Sequence, residues 1–164
     1  LDVPVDYIAN GGKMPVTLTI PGRGTRQLDL TIPKGIRDGQ KIRLSGEGPN
    51  GQDVHLKVHH APSRDFRPEG DHLVTDARVS AAQAALGTKV TVPTPDGPIT
   101  VKVAPGSNSG RRLRVRGKGL PAQNSSRGDL LVRVMIDVPK ELSDRERELY
   151  EELAKLENSE TNQQ

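Results

Sequence analysis

The residues of this chain that could do chemistry are few, and their spacing matches no common active site. The histidines are His55, His59, His60 and His72. His55 and His59 alternate with apolar residues, so we expect them on the solvent side of a strand, and a zinc site would need a fuller ligand set. Asp71 and Asp129 each follow a glycine and precede an apolar stretch. A turn closed by an Asp-to-backbone hydrogen bond explains that placement better than carboxylate catalysis.

Other kinds of site are equally poorly supported. The chain has no Cys, which excludes disulfides and Cys-based zinc sites. No Gly-x-Ser-x-Gly motif is present, and the glycine-rich stretches lack the Lys-Ser or Lys-Thr end of a phosphate-binding loop. No apolar run approaches the roughly 20 residues of a membrane span. We therefore expect a chain that is not an enzyme, has no cofactor or metal and does not enter a membrane.

The strongest charge cluster is a basic stripe on one predicted strand. Its side chains alternate with Leu113 and Val115, so they share one face of that strand. Its members are Arg112, Arg114, Arg116 and Lys118. That face suits phosphate groups, and hence DNA, or an acidic partner. A solvated edge that resists aggregation is the alternative, and the scarcity of aromatic residues argues against stacking on bases.

An internal repeat organises the chain. The stretch from Pro33 to Gly48 returns as the stretch from Pro105 to Gly119, and from Gly35 onward the matched positions lie at a constant offset of 71 residues. Four of the matched positions are glycines, which favour turns because only glycine adopts positive φ at little cost. The glycine pairs are Gly35/Gly106, Gly39/Gly110, Gly46/Gly117 and Gly48/Gly119. The repeat predicts two related β units rather than a duplicated active site.

Alternation with a period of two predicts the strands of both units. Val16, Leu18 and Ile20 illustrate the pattern, and we expect each such strand to be antiparallel and half-buried. Short helical stretches precede the first hairpin of each unit and end at Gly11 and Gly87. The predicted fold is mainly β, with two tandem, related small β-sandwich domains, short helices and a C-terminal helix.

The C-terminal segment differs in kind from the rest. Ser143 and Glu146 have the spacing of a capping box, which begins a helix. Leucines then recur at helical spacing, with Tyr150 beside them. The apolar residues are Leu142, Leu149, Tyr150, Leu153 and Leu156. We predict domains over 1–70 and 71–139, a helix over 140–157 and a disordered tail over 158–164.

Several ordered motifs together resemble a known family. They are the stretch from Pro105 to Gly119, the connector from Phe66 to Leu73, the stretch from Ala85 to Thr94, and Gly128-Asp129-Leu130. Taken together, they resemble the C-terminal client-binding region of DnaJ-family co-chaperones, over about residues 1–157. The resemblance implies a protein that binds unfolded polypeptides, passes them to a DnaK-type chaperone and works in the cytoplasm.

The resemblance also implies a branch of that family. A Cys-rich zinc domain would follow Ile20-Pro21, but only a short turn joins the strands there and Cys is absent. The chain is thus similar to the zinc-free class B J-proteins and the curved-DNA-binding proteins. The His-Pro-Asp motif of a J-domain is not in the sequence, and we expect any such domain to lie upstream of Leu1.

By the same resemblance, a client groove in the first domain would be lined by Leu1, Val3, Leu18 and Ile20. Alternation places these residues on single faces whether they line a groove or belong to the core, so the sequence leaves both interpretations open. The family also forms homodimers through the C-terminal helix, and the leucine stripe suits that role; packing on its own domain is the alternative. Two rival functions are architectural DNA binding through the basic stripe and a structural spacer.

Overall fold

The computed structural model describes residues 1–122 and 126–161. The first unit contains β1 (Asp2–Val3), α1 (Val5–Asn10), β2 (Gly12–Ile20), β3 (Gly24–Ile32), β4 (Lys41–Leu44), a 3-10 turn (Pro49–Gly51), β5 (Val54–Lys57) and β6 (His59–His60). The second contains β7 (Arg67–Glu69), β8 (His72–Ser80), α2 (Ala81–Leu86), β9 (Thr88–Val92), β10 (Ile99–Val103), β11 (Arg112–Val115) and β12 (Leu130–Asp137). The last element is α3 (Asp144–Thr161). The fold is mainly β, in several small sheets with a C-terminal helix, as predicted.

The repeat in the sequence is a repeat in structure. Both units run from a strand through a six-residue helix into a hairpin, and then through a turn to a strand, a loop and a last strand. α1 ends at Gly11 (φ 70°) and α2 at Gly87 (φ 85°), as the glycines predict. The helix termini therefore coincide because the same residue type stops the helix in both units.

The hairpins also confirm the alternation pattern. β2 and β3 pair antiparallel from Gly12↔Ile32 to Ile20↔Gly24, and β9 and β10 pair from Thr88↔Val103 to Val92↔Ile99. β4 with β5, β7 with β8, and β11 with β12 form the other antiparallel pairs between named strands of one unit. The β2–β3 hairpin turns at Pro21, Gly22 and Arg23, and the β9–β10 hairpin turns over residues 93–98, which are also rich in Pro and Gly.

The prediction that every strand is antiparallel is wrong for the strand that closes each unit. β12 pairs parallel with β8 from Leu130↔Leu73 to Asp137↔Ser80, and β1 pairs parallel with β6. A short helix and a hairpin, followed by β11 in the second unit and by β4 and β5 in the first, connect the parallel partners, which gives the long crossover that parallel pairing requires. Period-two alternation reports which face is buried and carries no information on strand direction.

A smaller cluster of Val79, Ala84, Val103 and Val134 lies within the second unit, and most other buried apolar residues of both units form one larger cluster. It includes Ile8 and Val58 from the first unit and Leu130 and Val132 from the second. Phe66, in the connector between the units, is only 6% exposed and belongs to the same cluster. The connector thus contributes its aromatic ring to a core that the two units share.

The C-terminal helix begins and ends later than predicted. It runs over Asp144–Thr161 instead of 140–157, and the predicted capping box is present: the Glu146 N–H donates to Ser143 Oγ (3.2 Å) and the Ser143 N–H to Glu146 Oε2 (2.9 Å). Residues 158–161 are helical and not disordered, and the Thr161 hydroxyl donates to the Glu157 carbonyl (3.0 Å) within the last turn. The rest of the predicted tail, 162–164, lies outside the described residues.

Across 1–122 and 126–161, no helix combines the length and the apolar character needed to cross a bilayer.

Candidate functional site

The four residues of the predicted groove are divided between the core and its margin. Val3 is fully buried and Ile20 is 5% exposed, so both face the core. Leu1 and Leu18 are half-buried and pack against the outside of the same core cluster. The accessible apolar surface that this set offers therefore comes from Leu1 and Leu18.

Strand β2 offers a free edge beside Leu18. Among the described residues it pairs only with β3, in a two-stranded sheet of nine residue pairs. The opposite edge therefore presents main-chain N–H and C=O groups that can pair with an added extended segment. Thr17 and Thr19 flank Leu18 on the exposed face, and the Thr19 hydroxyl bonds to that of Thr25 on β3 (3.1 Å).

Leu1 is held by the main chain of the neighbouring strands. Its amino group donates to the Lys57 carbonyl (2.8 Å), and its carbonyl accepts from the His59 N–H (2.8 Å). These two bonds fix the backbone of Leu1 at the junction of β5 and β6. Its half-buried side chain consequently has a defined position against the core.

The basic stripe is largely neutralised within the chain. Arg112 pairs with Glu69 (3.0 Å), Arg114 with Asp129 (3.1 Å) and Lys118 with Asp96 (3.0 Å). Arg116 alone of the four has no ion pair within 1–122 and 126–161. Because three of its four cations already have a carboxylate partner, the stripe offers little free charge to phosphate groups.

Two carboxylates that the sequence did not single out anchor networks of arginines and lysines. Asp76 accepts hydrogen bonds from Arg67 (2.8 Å) and Arg133 (2.9 Å), which hold the pKa of its carboxyl well below the usual range. Burial raises the pKa of Asp96, but hydrogen bonds from Lys118 and Arg127 outweigh that effect and lower it. The partners lie far apart in sequence, so spacing gave no signal for them.

Asp129 takes the predicted role in a turn, and the predicted exposure of His55 and His59 is confirmed, but Asp71 makes no side-chain hydrogen bond within the described part of the chain. His55 and His59 are exposed, and Asp129 Oδ1 accepts the Gly117 N–H (2.9 Å), which closes the turn after β11. His72 Nδ1 accepts the Asp129 N–H (2.9 Å). Over the described residues, no group of three or more His, Asp or Glu side chains has the geometry to hold a metal ion.

The leucine stripe of α3 is mostly open to solvent. Leu149 is 47% exposed, Leu153 48% and Leu156 65%, whereas Tyr150 is half-buried, as is Leu142, which precedes α3. A groove of about 950 Å³ separates α3 from the start of α2 and the end of β12. Val138, 70% exposed, lies in this groove, and alternation had not marked it as a surface residue.

Comparison with known proteins shows which family this chain resembles in sequence. Residues 1–139 match the family described as "DnaJ C terminal domain". "Chaperone protein DnaJ" of Deinococcus proteolyticus is 47% identical over 131 residues, which cover 80% of this chain and 42% of that protein. "Chaperone protein DnaJ 2" of Nocardia farcinica is 46% identical over 127 residues, covering 73% of this chain and 33% of the relative.

A third relative agrees with these two. "Chaperone protein DnaJ 1" of Mycobacterium tuberculosis is 42% identical over 142 residues, covering 82% of this chain and 36% of that protein. The chain thus spans between a third and about two fifths of the length of these relatives. The family model covers most of the chain, including both β units, and the chain therefore belongs to the DnaJ C-terminal domain family.

Proposed function

We propose that this chain is the client-binding part of a DnaJ-type co-chaperone. It binds unfolded polypeptides in the cytoplasm, prevents their aggregation and delivers them to a DnaK-type chaperone. The observation that carries the proposal is the free edge of β2 with half-buried Leu18 on the same strand. The names of the relatives support a chaperone role in general terms.

The chemistry of this edge fits a broad client range. Main-chain groups of β2 can bond to any extended segment irrespective of its sequence. Leu18 and Leu1 add a shallow apolar contact that favours hydrophobic client side chains. Only two half-buried leucines contribute, so we expect weak binding, which allows release. No covalent step is required.

The first hairpin supports assignment to the zinc-free class B type. β2 and β3 are joined by Pro21, Gly22 and Arg23, and the Arg23 N–H donates to the Ile20 carbonyl (3.0 Å). The Arg23 guanidinium also donates to the Gly46 carbonyl (2.9 Å), so the tip of the hairpin is tied to the loop after β4. A turn this short has no room for an inserted domain, and the chain has no Cys.

Peptide binding by point variants tests the groove. Fluorescence anisotropy of a labelled, unfolded apolar peptide is measured at high salt, where charge attraction is screened. Leu18→Asp places a charge at the apolar contact and should weaken binding at least about tenfold, a loss of roughly 1.4 kcal/mol. Thr17→Asp is the matched control: it adds the same charge one residue away, on the exposed face, and should bind like the wild type.

Circular dichroism must show that both variants keep the wild-type fold, and Leu18→Ser serves as a milder replacement if Leu18→Asp does not. Equal affinity of the wild type and a folded Leu18 variant would rule out this groove. Equal weakening by Leu18→Asp and Thr17→Asp would assign the effect to charge and not to the apolar contact.

We further propose that α3 pairs two chains. Its exposed leucines border a groove that contains Val138, and apolar side chains with this exposure gain stability when a second surface covers them. Two weak client sites on one dimer would then act on one extended client with a raised effective concentration.

A further inference from the structure

The chain contains two Asn-Gly dipeptides in contrasting environments, Asn10-Gly11 and Asn50-Gly51. Asparagine is among the thermally labile residues, and a following glycine, which has no Cβ, leaves the peptide nitrogen open to attack on the side-chain amide. Both asparagines are exposed, so solvent access does not distinguish them. Their hydrogen bonds do.

Asn10 is held at both reacting groups. Its side-chain Nδ2 donates to the Pro95 carbonyl (2.9 Å), and the Gly11 N–H donates to the Tyr7 carbonyl (2.8 Å) at the end of α1. Backbone atoms of Ile32 and Lys34 also lie against Gly11. Neither the amide carbon nor the nitrogen can approach the other until these contacts open.

Of the two reacting groups at Asn50-Gly51, only the Gly51 nitrogen takes part in a hydrogen bond among the described residues, and that bond is long. Its side chain has no hydrogen-bond partner within the described part of the chain, and it lies in an exposed loop with φ 56° and ψ 26°. The Gly51 N–H donates to the Gly48 carbonyl at 3.2 Å, near the long end of the usual range. Asn50 is the one non-glycine residue of positive φ in the described residues, which places its backbone in a sparsely populated region.

We propose that Asn50-Gly51 is a site of spontaneous deamidation and that Asn10-Gly11 is protected by the fold. The Gly51 nitrogen attacks Cγ of Asn50, a Cγ–N bond forms, the Cγ–Nδ2 bond breaks, and Nδ2 leaves as ammonia with the proton from Gly51. Water then adds to one of the two carbonyls of the cyclic imide. Opening at Cγ gives Asp, and opening at the main-chain carbonyl gives isoaspartate.

The modification changes the loop between β4 and β5. Either product adds a carboxylate to a loop that already holds Glu47 and Asp53. Isoaspartate also lengthens the main chain by one carbon, inside the segment that the bond from the Gly48 N–H to the Gln52 carbonyl (2.7 Å) closes. The loop between β4 and β5 would therefore accumulate Asp and isoaspartate, while the corresponding loop of the second unit, which has no Asn-Gly, would not.

Peptide mapping of the folded chain tests the proposal. The protein is incubated at 37 °C and neutral pH and then digested with trypsin, which releases residues 1–13 with Asn10 and residues 44–57 with Asn50 as separate peptides. Mass spectrometry follows the replacement of NH₂ by OH in each, and a protein isoaspartyl methyltransferase reports the isoaspartate product. We expect Asn50 to react at least about tenfold faster, because Asn10 must first break an additional hydrogen bond and leave a packed helix terminus.

Two controls fix the interpretation. In concentrated urea both sites should react at similar rates, because the fold no longer protects Asn10. Asn50→Gly, which retains the positive φ, should abolish the signal of the 44–57 peptide. Equal rates of the two sites in the folded protein, or a faster reaction at Asn10, would overturn the proposal.

Discussion

At the scale of single residues, the half-buried carboxylate of Asp76 accepts hydrogen bonds from arginines and links strands of the second unit, whereas the cations of the basic stripe are mostly neutralised. Asp76 is 19% exposed and lies between Arg67 on β7 and Arg133 on β12. It joins the central strands of the second unit at a place where the sequence shows only an unremarkable Asp in a strand. Spacing could predict the basic stripe but not its neutralisation, since the acidic partners come from other elements.

Replacing Asp76 should make stability less dependent on acid. Its pKa is lowered by folding, so its charge stabilises the protein fully at pH values above the unfolded-state pKa and progressively less as the pH falls below about 4. Asp76→Asn should lower the free energy of unfolding by about 2 kcal/mol at neutral pH. The difference in stability between the variant and the wild type should become smaller as the pH falls. Urea unfolding across pH measures both. Asp137→Asn, at the more exposed Arg78 pair, is the control and should change stability little.

Gly128 lies where two backbone segments pass so close to each other that there is no room for a side chain. A Cβ there would overlap the carbonyl of Asp71, where the strand entering β12 crosses the start of β8. Because the obstacle is backbone on both sides, Gly128→Ala should cost more than about 3 kcal/mol or prevent folding. Gly106→Ala is the matched control: Gly106 has φ 71° but open space around it, so only about 1 kcal/mol of conformational strain is expected.

Urea denaturation of the two glycine variants beside the wild type decides the matter. Because Gly128, unlike Gly106, has no positive φ, a loss at Gly128 no larger than that at Gly106 would contradict the steric reason given for this glycine.

At the scale of elements, the sequence predicts what is local and misses what is distant. The hairpins, the glycine-terminated helices and the capping box of α3 follow from neighbouring residues, and the structure confirms them. Strand direction depends on connections many residues long, which is why the parallel pairing of β8 with β12 was not predicted. For the same reason alternation could not separate buried Val3 and Ile20 from half-buried Leu1 and Leu18.

The pairing role of α3 can be tested by introducing charge on its apolar face. Leu149→Asp combined with Leu153→Asp should convert a dimer to a monomer, measured as a halved mass in sedimentation equilibrium, because burying those charges in the interface is costly. Glu151→Ala combined with Lys155→Ala alters the opposite, exposed face of the same helix and should leave the mass unchanged. A wild-type chain that sediments as a monomer at all accessible concentrations would contradict the pairing.

At the scale of the whole molecule, the sequence repeat suggests two separate units, but the packing between them predicts that they unfold as one. Residues of both units and of the connector share one apolar cluster, so the units should unfold together. We expect Phe66→Ala to cost about 3–5 kcal/mol, since it leaves a cavity where both units meet. Leu86→Ala, at a position that is 79% exposed and outside the groove beside α3, is the control and should have little effect.

Hydrogen exchange monitored in β5 and in β12 during urea unfolding distinguishes the cases. A single transition, shifted equally in both strands by Phe66→Ala, is the predicted result. Two separate transitions would show that the units are independently stable domains, with the boundary near residue 70 that the sequence predicted.

The proposed client site at the edge of β2 is tested by amide hydrogen exchange along the chain, with and without a saturating unfolded apolar peptide. If a client adds a strand to the free edge of β2, main-chain amides of β2 should exchange more slowly in its presence, while those of β9, the matching strand of the second unit, should not change. No change in β2, or protection confined to another element, would contradict the proposed client site at the free edge of β2.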